Sequence, residues 1–292
     1  MKKGFHSRRL IAALMAALLS VNSLPVTVLA EETDPAGQSQ AEAVMESDTE
    51  ESDLTGESQE ESVQEETIEE ETETVLQSEE QSDELVDSGT CGENVTWTLD
   101  REGLLTITGT GDMTNYTSSS ECPWYSESAS IVSIVVGDDV TNIGNYAFEN
   151  LDNLTTATLG SSVTTIGESA FYRCASLNHV NIPDSVTTIG RGAFYGCRSL
   201  ESIVIPASVT TIGGSTFYGC SSLTSANIPN GITRIGWGMF YGCSGLTNIT
   251  IPKNVEYIEN DAFSYCSNLS EINFECSVPV IWDESFYQVT AT

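Results

Sequence analysis

A 23-residue pattern repeats six times in the second half of this chain, and this period limits the fold more than any other feature. A seventh, incomplete unit runs from Val278 to Thr292. Ordering one unit costs about 1.5 kcal/mol per residue, whereas burial returns about 2 kcal/mol for each of roughly eight apolar side chains. Single units are therefore unstable and must stack into a solenoid. The complete units begin at Val140, Val163, Val186, Val209, Ile232 and Val255.

Each unit combines two periods of apolar residues. Ile203 and Ile205 alternate with their neighbours, which predicts a strand with one buried face that ends at Pro206. Between Ile189 and Cys197 the apolar residues fall at i, i+4, i+5 and i+8, which predicts one face of a short helical turn. We therefore expect an α/β solenoid in which about seven short parallel strands form a sheet and short helical turns lie on the other side.

Residues 89–139 are predicted to form a β-rich N-terminal cap and the first strand. Apolar residues alternate from Val95 to Leu99 and again from Leu105 to Ile107, and Arg101 to Gly103 offers a turn, so this part predicts a β-hairpin. Residues Ile131 to Val136 match the strand positions of the repeats. The segment would cover the apolar end of the stacked units, which make up residues 140–292.

The repeat carries a resemblance. The run L-x-x-I/V-x-I-P-x-S-V-T-x-I-G-x-x-A-F-x-x-C extends from Leu177 to Cys197 and, with Thr216 in place of Ala, from Leu200 to Cys220. It resembles the BspA-like bacterial leucine-rich repeat family, and the lead-in from Cys91 to Ser126 is similar to the segment that often precedes such repeats. The resemblance implies an extracellular solenoid, with some members described as adhesins. It supplies no motif that specifies a ligand.

The first 30 residues have the organisation of a secretory signal peptide. Four basic residues precede an apolar run from Leu10 to Leu19, and Val28 and Ala30 provide small residues for cleavage after Ala30. A transmembrane helix is the weaker interpretation, because the run is about half the length required. We expect a secreted or cell-surface protein without membrane insertion after cleavage.

The charge of the chain is strongly and unevenly acidic. Residues 31–88 contain 23 acidic residues and no basic residue, which predicts a disordered stalk or spacer, with an acidic binding tail as the alternative. Residues 91–292 contain 20 acidic and 6 basic residues. This net charge of −14 argues against partners such as nucleic acids and anionic membranes.

Five of the eight cysteines recur at the repeat period. The same position holds Leu151 in the first unit and Val289 in the last, so these cysteines are predicted to be small buried apolar residues. A straight file of thiols does not surround zinc tetrahedrally, and no metal is expected. Cys91 and Cys122 lie outside the file, and the sequence leaves open a disulfide between them, with Cys276 left over. The five are Cys174, Cys197, Cys220, Cys243 and Cys266.

The sequence offers little for catalysis. After signal cleavage a single histidine remains, His179, at a strand position where the later units carry other residues. No nucleophile, zinc-protease, phosphate-loop or EF-hand spacing is present. We expect no catalytic site and no cofactor. A pair of carboxylates for glycoside hydrolysis stays an open alternative, but nothing singles out a pair.

Two surface columns are candidate binding sites. One lies on the outer face of the strands, where small and mostly uncharged side chains vary between units. Its candidate partner-binding residues are His179, Asn181, Ser202, Val204, Ser225, Asn227, Asn248 and Thr250. The other consists of tyrosines that follow the buried phenylalanines and are expected at the margin of the core. They are interpreted either as a packing stripe or as an aromatic platform for sugars: Tyr172, Tyr195, Tyr218, Tyr241 and Tyr287.

These features favour a monomeric, adhesin-like binding protein that recognises an extracellular protein or glycan through the solenoid surface. The strand face is preferred over the tyrosines, because a recognition surface needs variety and a packing stripe does not. A structural or spacer module of a larger envelope assembly is the main alternative. An enzyme that acts on glycans is a weaker one.

Overall fold

The computed structural model describes residues 85–275 and 279–290, which form a β-solenoid of about six turns. The signal peptide, the expected stalk up to residue 84, and Cys276 lie outside the described residues. The solenoid is built from coils of 23 residues. Each coil has three sides, namely a first strand, a second strand and a run of tight turns.

An antiparallel sheet covers the start of the solenoid. It contains β1 (Leu85–Thr90), β2 (Val95–Asp100) and β3 (Leu104–Gly109). The predicted hairpin is confirmed, since Trp97 of β2 lies opposite Ile107 of β3. Strand β1 begins at Leu85, three residues before the expected end of the stalk at residue 88. Two 3-10 helices follow this sheet, at Ser119–Glu121 and Tyr125–Ser130.

The first strands of successive coils lie side by side in parallel. They pair in a register of 23 residues, with Thr156 opposite His179 and Ser202 opposite Ser225. Strand β3 of the cap pairs in parallel with the first of them, so the cap sheet continues into the repeats. These strands are β5 (Ser133–Val136), β7 (Thr156–Thr158), β9 (His179–Asn181), β11 (Ser202–Ile203), β13 (Ser225–Ala226), β15 (Asn248–Ile251) and β17 (Glu271–Phe274).

The second strands form a further parallel column that the sequence did not predict. Their polar and apolar residues alternate over too few positions to stand out as strands. The expectation of one sheet of about seven strands is not confirmed, because the strands are divided over two columns and several separate sheets. The second strands are β4 (Gly111–Asp112), β6 (Val140–Ile143), β8 (Thr165–Ile166), β10 (Thr188–Ile189), β12 (Thr211–Ile212), β14 (Arg234–Ile235), β16 (Tyr257–Ile258) and β18 (Val280–Ile281).

The third side of each coil consists of tight turns, and the expectation of short helical turns is wrong for the described residues. Left-handed residues recur at intervals of four, such as Ser169 (φ 53°) and Arg173 (φ 57°), and they interrupt any helix. The backbone N–H groups bond to the next coil. Phe171 N–H donates to the carbonyl of Ala193 at 2.7 Å, and Arg173 N–H donates to that of Tyr195 at 2.6 Å.

A file of stacked phenylalanine rings fills the core. Neighbouring ring centroids lie 5.2 to 5.7 Å apart. Trp124 stacks on the first ring at 5.6 Å, and Trp97 of the cap meets Trp124 edge to face at 5.7 Å. The core is thus continuous from cap to repeats. The rings belong to Phe148, Phe171, Phe194, Phe217, Phe240, Phe263 and Phe286.

The repeated cysteines are fully buried beside the phenylalanine file as free thiols, so their predicted role in core packing is confirmed. The structure adds a contact that the sequence did not reveal. Each thiol donates to the carbonyl of the phenylalanine in the preceding coil, as Cys220 Sγ does to Phe194 at 3.2 Å and Cys243 Sγ to Phe217 at 3.1 Å. The cysteine file therefore joins neighbouring coils.

Cys91 and Cys122 are buried in the cap and are free thiols in the structure. The disulfide between them that the sequence left open stays a prediction. Cys122 Sγ donates to the carbonyls of Tyr146 and Ala147, both at 3.4 Å. These contacts tie the cap to the first coil without a covalent bond.

We expect the buried thiols to make the fold sensitive to alkaline pH. Burial raises the pKa of the Cys174, Cys220 and Cys266 thiols from 9.0 to about 12. Thiols in the unfolded chain ionise near 9, so this contribution to stability is complete below pH 9 and is lost as the pH rises towards 12. Urea unfolding at pH 7, 9 and 10.5 measures the loss.

The Cys174→Val/Cys220→Val variant is the control for that experiment. Tyrosines also ionise in this range, and they are unchanged in the variant. The variant should therefore lose less stability than the parent between pH 9 and 10.5. Equal losses in both proteins would contradict the role of the thiols.

Candidate binding surfaces

The strand face is formed by the outer side chains of the first strands. His179, Ser202, Ser225 and Asn248 are exposed and recur one coil apart, whereas the residues that follow them in each strand point into the core. In the next outer register, Asn181, Val204, Asn227 and Thr250 are also exposed. Val204 is 77% exposed, the largest value among the exposed large apolar residues described. The structure thus brings all eight residues of the predicted column to one surface.

Two of these residues have a structural contact that the sequence did not reveal. The Asn181 side chain accepts a hydrogen bond from Leu159 N–H at 2.8 Å and donates to the Leu159 carbonyl at 3.4 Å. The Asn227 side chain makes the same pair of bonds with Ile205, each at 2.7 Å. In both cases the carboxamide takes the place of a neighbouring strand where backbone pairing has ended. These two asparagines hold adjacent coils together.

The tyrosines beside the phenylalanine file form their own stack. The rings of Tyr172 and Tyr195 lie 4.7 Å apart, those of Tyr195 and Tyr218 4.6 Å, and those of Tyr218 and Tyr241 4.3 Å, with interplanar angles of 18°, 7° and 7°. Each interior ring face is covered by its neighbour, so a sugar has no free face to stack on. Within the stack this geometry favours a packing stripe over an aromatic platform.

The stack ends in two exposed rings. Tyr265 is 44% exposed and tilted by 54° against Tyr241, and Tyr287 is 50% exposed and meets Tyr265 edge to face. The sequence did not place Tyr265 in this column, because Ser264 occupies the position directly after Phe263. The tyrosine at position 265, one residue after Ser264, was the sequence feature that could have indicated its place in the column. Its backbone is left-handed there, at φ 63°.

A cleft of about 420 Å³, which we call the tyrosine cleft, lies beside this stack. No sequence pattern predicted this cleft. It is on the turn side of the coils, and the strand-face residues are not part of it. The cleft is lined by Asp152, Arg173, Ala175, Tyr195, Gly196, Arg198, Tyr218 and Gly219.

A second cleft of about 390 Å³ lies along the second strands. Its arginine, Arg234, forms a salt bridge with Glu259 at 2.5 Å and lies over the ring of Tyr257 at 4.9 Å. The charge of Arg234 is therefore already engaged. Of the two clefts, only the tyrosine cleft presents arginines without a carboxylate partner among the described residues.

Within residues 85–275 and 279–290, no group of three or more histidine, cysteine, aspartate or glutamate side chains is arranged to hold a metal ion. In the same residues no helix has the length and apolar character needed to cross a membrane.

The sequence and fold are similar to those of known proteins. Residues 123–203 and 187–292 match the family model of the BspA type leucine rich repeat region, in six copies. A leucine-rich repeat protein from Bacteroides ovatus is 24% identical, with 69% of this chain and 57% of that chain covered and a TM-score of 0.55. The chain therefore spans little more than half the length of that protein.

A second similar structure is the T. pallidum leucine rich repeat protein TpLRR. It is 28% identical, with 64% of this chain and 81% of that chain covered and a TM-score of 0.50. A search of curated proteins finds no match. The two structural likenesses concern the solenoid fold.

We expect Asn227→Ala to destabilise the protein by about 1 to 2 kcal/mol, because it leaves an N–H and a carbonyl of Ile205 without their partners. Asn248→Ala is the matched control. Asn248 is an exposed asparagine on the same face, but its side chain donates only to Thr247 Oγ1, within its own coil. Its replacement should change stability by less than about 0.5 kcal/mol. Urea unfolding followed by circular dichroism measures both, and equal losses would contradict the structural role of Asn227.

Proposed function

Because this chain belongs to the BspA-type leucine-rich repeat family, we propose that it is a secreted or cell-surface bacterial protein that binds an extracellular protein or glycan in the manner of an adhesin. The family match covers more than half of the chain, and the membership predicted from residues 177–220 is confirmed. The strand face is the proposed contact surface, and no catalytic step is part of the proposal.

The observation that carries this proposal is the contrast between core and outer positions. In the core, phenylalanine recurs at the same position in every complete coil, since each ring must fit the ring next to it. The outer register instead changes from His179 to Ser202, Ser225 and Asn248, and then to Glu271. Packing does not require these changes, because the side chains are exposed. A row of different polar groups about 4.8 Å apart suits an extended ligand that lies along the solenoid.

The contact surface is narrower than the sequence predicted. Asn181 and Asn227 are occupied by the backbone of the neighbouring coil. Val204 lies between them in the same register, and the side chains above and below it are thereby fixed. An exposed apolar residue framed by two fixed amides gives a partner a rigid contact point. The proposed contact residues are thus His179, Ser202, Val204, Ser225, Asn248 and Thr250.

The same two asparagines favour a second candidate function. Part of the strand face serves the stability of the solenoid, and the remaining side chains are small and polar, as on a solvated sheet. A structural or spacer module in a larger envelope assembly therefore stays the alternative to a binding protein.

The test uses an array of immobilised extracellular matrix proteins and glycans. The Ser202→Lys/Val204→Lys/Thr250→Lys variant should weaken binding to any positive spot at least tenfold, since each unmatched charge in a contact zone carries a desolvation penalty. The side chains of these three residues are exposed. Circular dichroism should show an unchanged fold.

The matched control carries the same added charge directly before the second strands, as Thr187→Lys/Thr210→Lys/Thr233→Lys. These threonines are exposed as well. The control should bind as the parent does. Equal binding by both variants would reject the strand face, and an array without any positive spot would favour the spacer module.

A further inference from the structure

The tyrosine cleft exists because side chains are missing from one position of the repeat. In three successive coils the left-handed position after the tyrosine holds Gly196, Gly219 and Gly242. The first two form part of the cleft lining. In other coils the same position carries a side chain: Asn150, Arg173, Tyr265 and Gln288, all with φ between 57° and 63°.

The fold does not require glycine at this position. A Cβ atom added to Gly219 would meet nothing closer than the Cα atom of Gly196, at 4.0 Å. The left-handed backbone is also adopted by Arg173 and Gln288 without glycine. The glycines therefore leave open a space that side chains occupy at the same position of other coils.

Arginines give this cleft a charge opposite to that of the domain. Residues 91–292 contain only six basic residues against 20 acidic ones, yet Arg173 and Arg198 line the same cleft. No carboxylate of the described residues lies within salt-bridge distance of either. The guanidinium of Arg173 lies over the ring of Tyr172 at 5.3 Å, and this cation–π contact helps to hold the side chain in place. Two such guanidinium groups are suited to a carboxylate, which they bind through paired hydrogen bonds.

The lining of the cleft favours a saccharide over a peptide. A peptide added to an edge would need free backbone N–H groups. Here the N–H of Gly196 donates to Tyr218 and that of Gly219 donates to Tyr241, each at 2.7 Å. What remains for a ligand are guanidinium groups and the half-buried rings of Tyr195 and Tyr218, of which the Tyr218 hydroxyl is hydrogen-bonded to Tyr241. These groups suit a ring that carries hydroxyls and a carboxylate, and the volume falls within the usual range for small-ligand sites.

We propose that the tyrosine cleft binds a uronic-acid unit of an acidic polysaccharide, with Arg173 and Arg198 holding the carboxylate and Tyr195 and Tyr218 contacting the sugar. This site lies on a different side of the coil from the strand face and does not depend on it. Asp152 also lines the cleft, and its carboxylate opposes an anionic ligand. It limits the affinity and gives the proposal a second test.

The experiment measures binding of a galacturonic acid hexamer to the full chain by calorimetry at about 0.15 M salt, where exposed charges farther apart than about 8 Å are largely screened. A neutral galactose hexamer is the reference ligand. Arg173→Gln/Arg198→Gln should weaken binding of the acidic hexamer at least tenfold. Arg191→Gln/Lys253→Gln removes the same charge from residues outside the cleft and should change binding less than twofold.

Two further variants separate the cleft from general charge effects. Gly219→Gln places in the cleft the residue that Gln288 provides in the last coil, and it should abolish binding while circular dichroism stays unchanged. Asp152→Asn should strengthen binding several-fold. Equal binding of the neutral and acidic hexamers, or equal losses in the two double variants, would overturn the proposal. Binding of poly-glutamate with the same arginine dependence, and none of the acidic hexamer, would reject the saccharide in favour of an acidic peptide.

Discussion

The hydrogen bond between the backbones of neighbouring coils is the interaction on which the rest of this structure depends. It is made on every side of the coil, between Thr156 and His179 in the first strands, between Thr165 and Thr188 in the second, and from Phe171 to Ala193 in the turns. Each pairing places equivalent residues one above the other. The stacked rings and the thiol contacts follow from that register, because a side chain that fits one coil meets its own copy in the next.

The sequence predicts the period, the core positions and the cap hairpin, because each depends on apolar residues that must be buried whatever the local backbone does. It does not predict the tight turns. Apolar residues at i, i+4, i+5 and i+8 face the core from a helix and from these turns alike. The difference lies in left-handed residues such as Ser169 and Arg173, whose types rarely adopt a positive φ. Only the paired glycines of the third and fifth complete units carried a local signal: Gly192 with Gly196, and Gly238 with Gly242.

The candidate surfaces were harder to predict than the core, and for a different reason. An exposed asparagine has the same appearance in a sequence whether it is free or bound to the backbone of the next coil. The role of Asn227 depends on where backbone pairing stops, which is a property of two coils together. The tyrosines are predicted in place, but their lack of free ring faces follows from a spacing of less than 5 Å that only the stacked structure sets.

Both candidate sites lie where the repeat departs from its own pattern, and this is expected on physical grounds. A position that repeats without change is filled on both sides by its copies, so its surface is already used, as with the ring of Tyr195. A change of residue breaks that self-contact and leaves a surface for another molecule. Val204 leaves such a surface between the fixed side-chain amides of Asn181 and Asn227. Gly196 leaves another beside Arg173. In a solenoid of this kind, recognition is therefore more readily built by interrupting a column than by extending one.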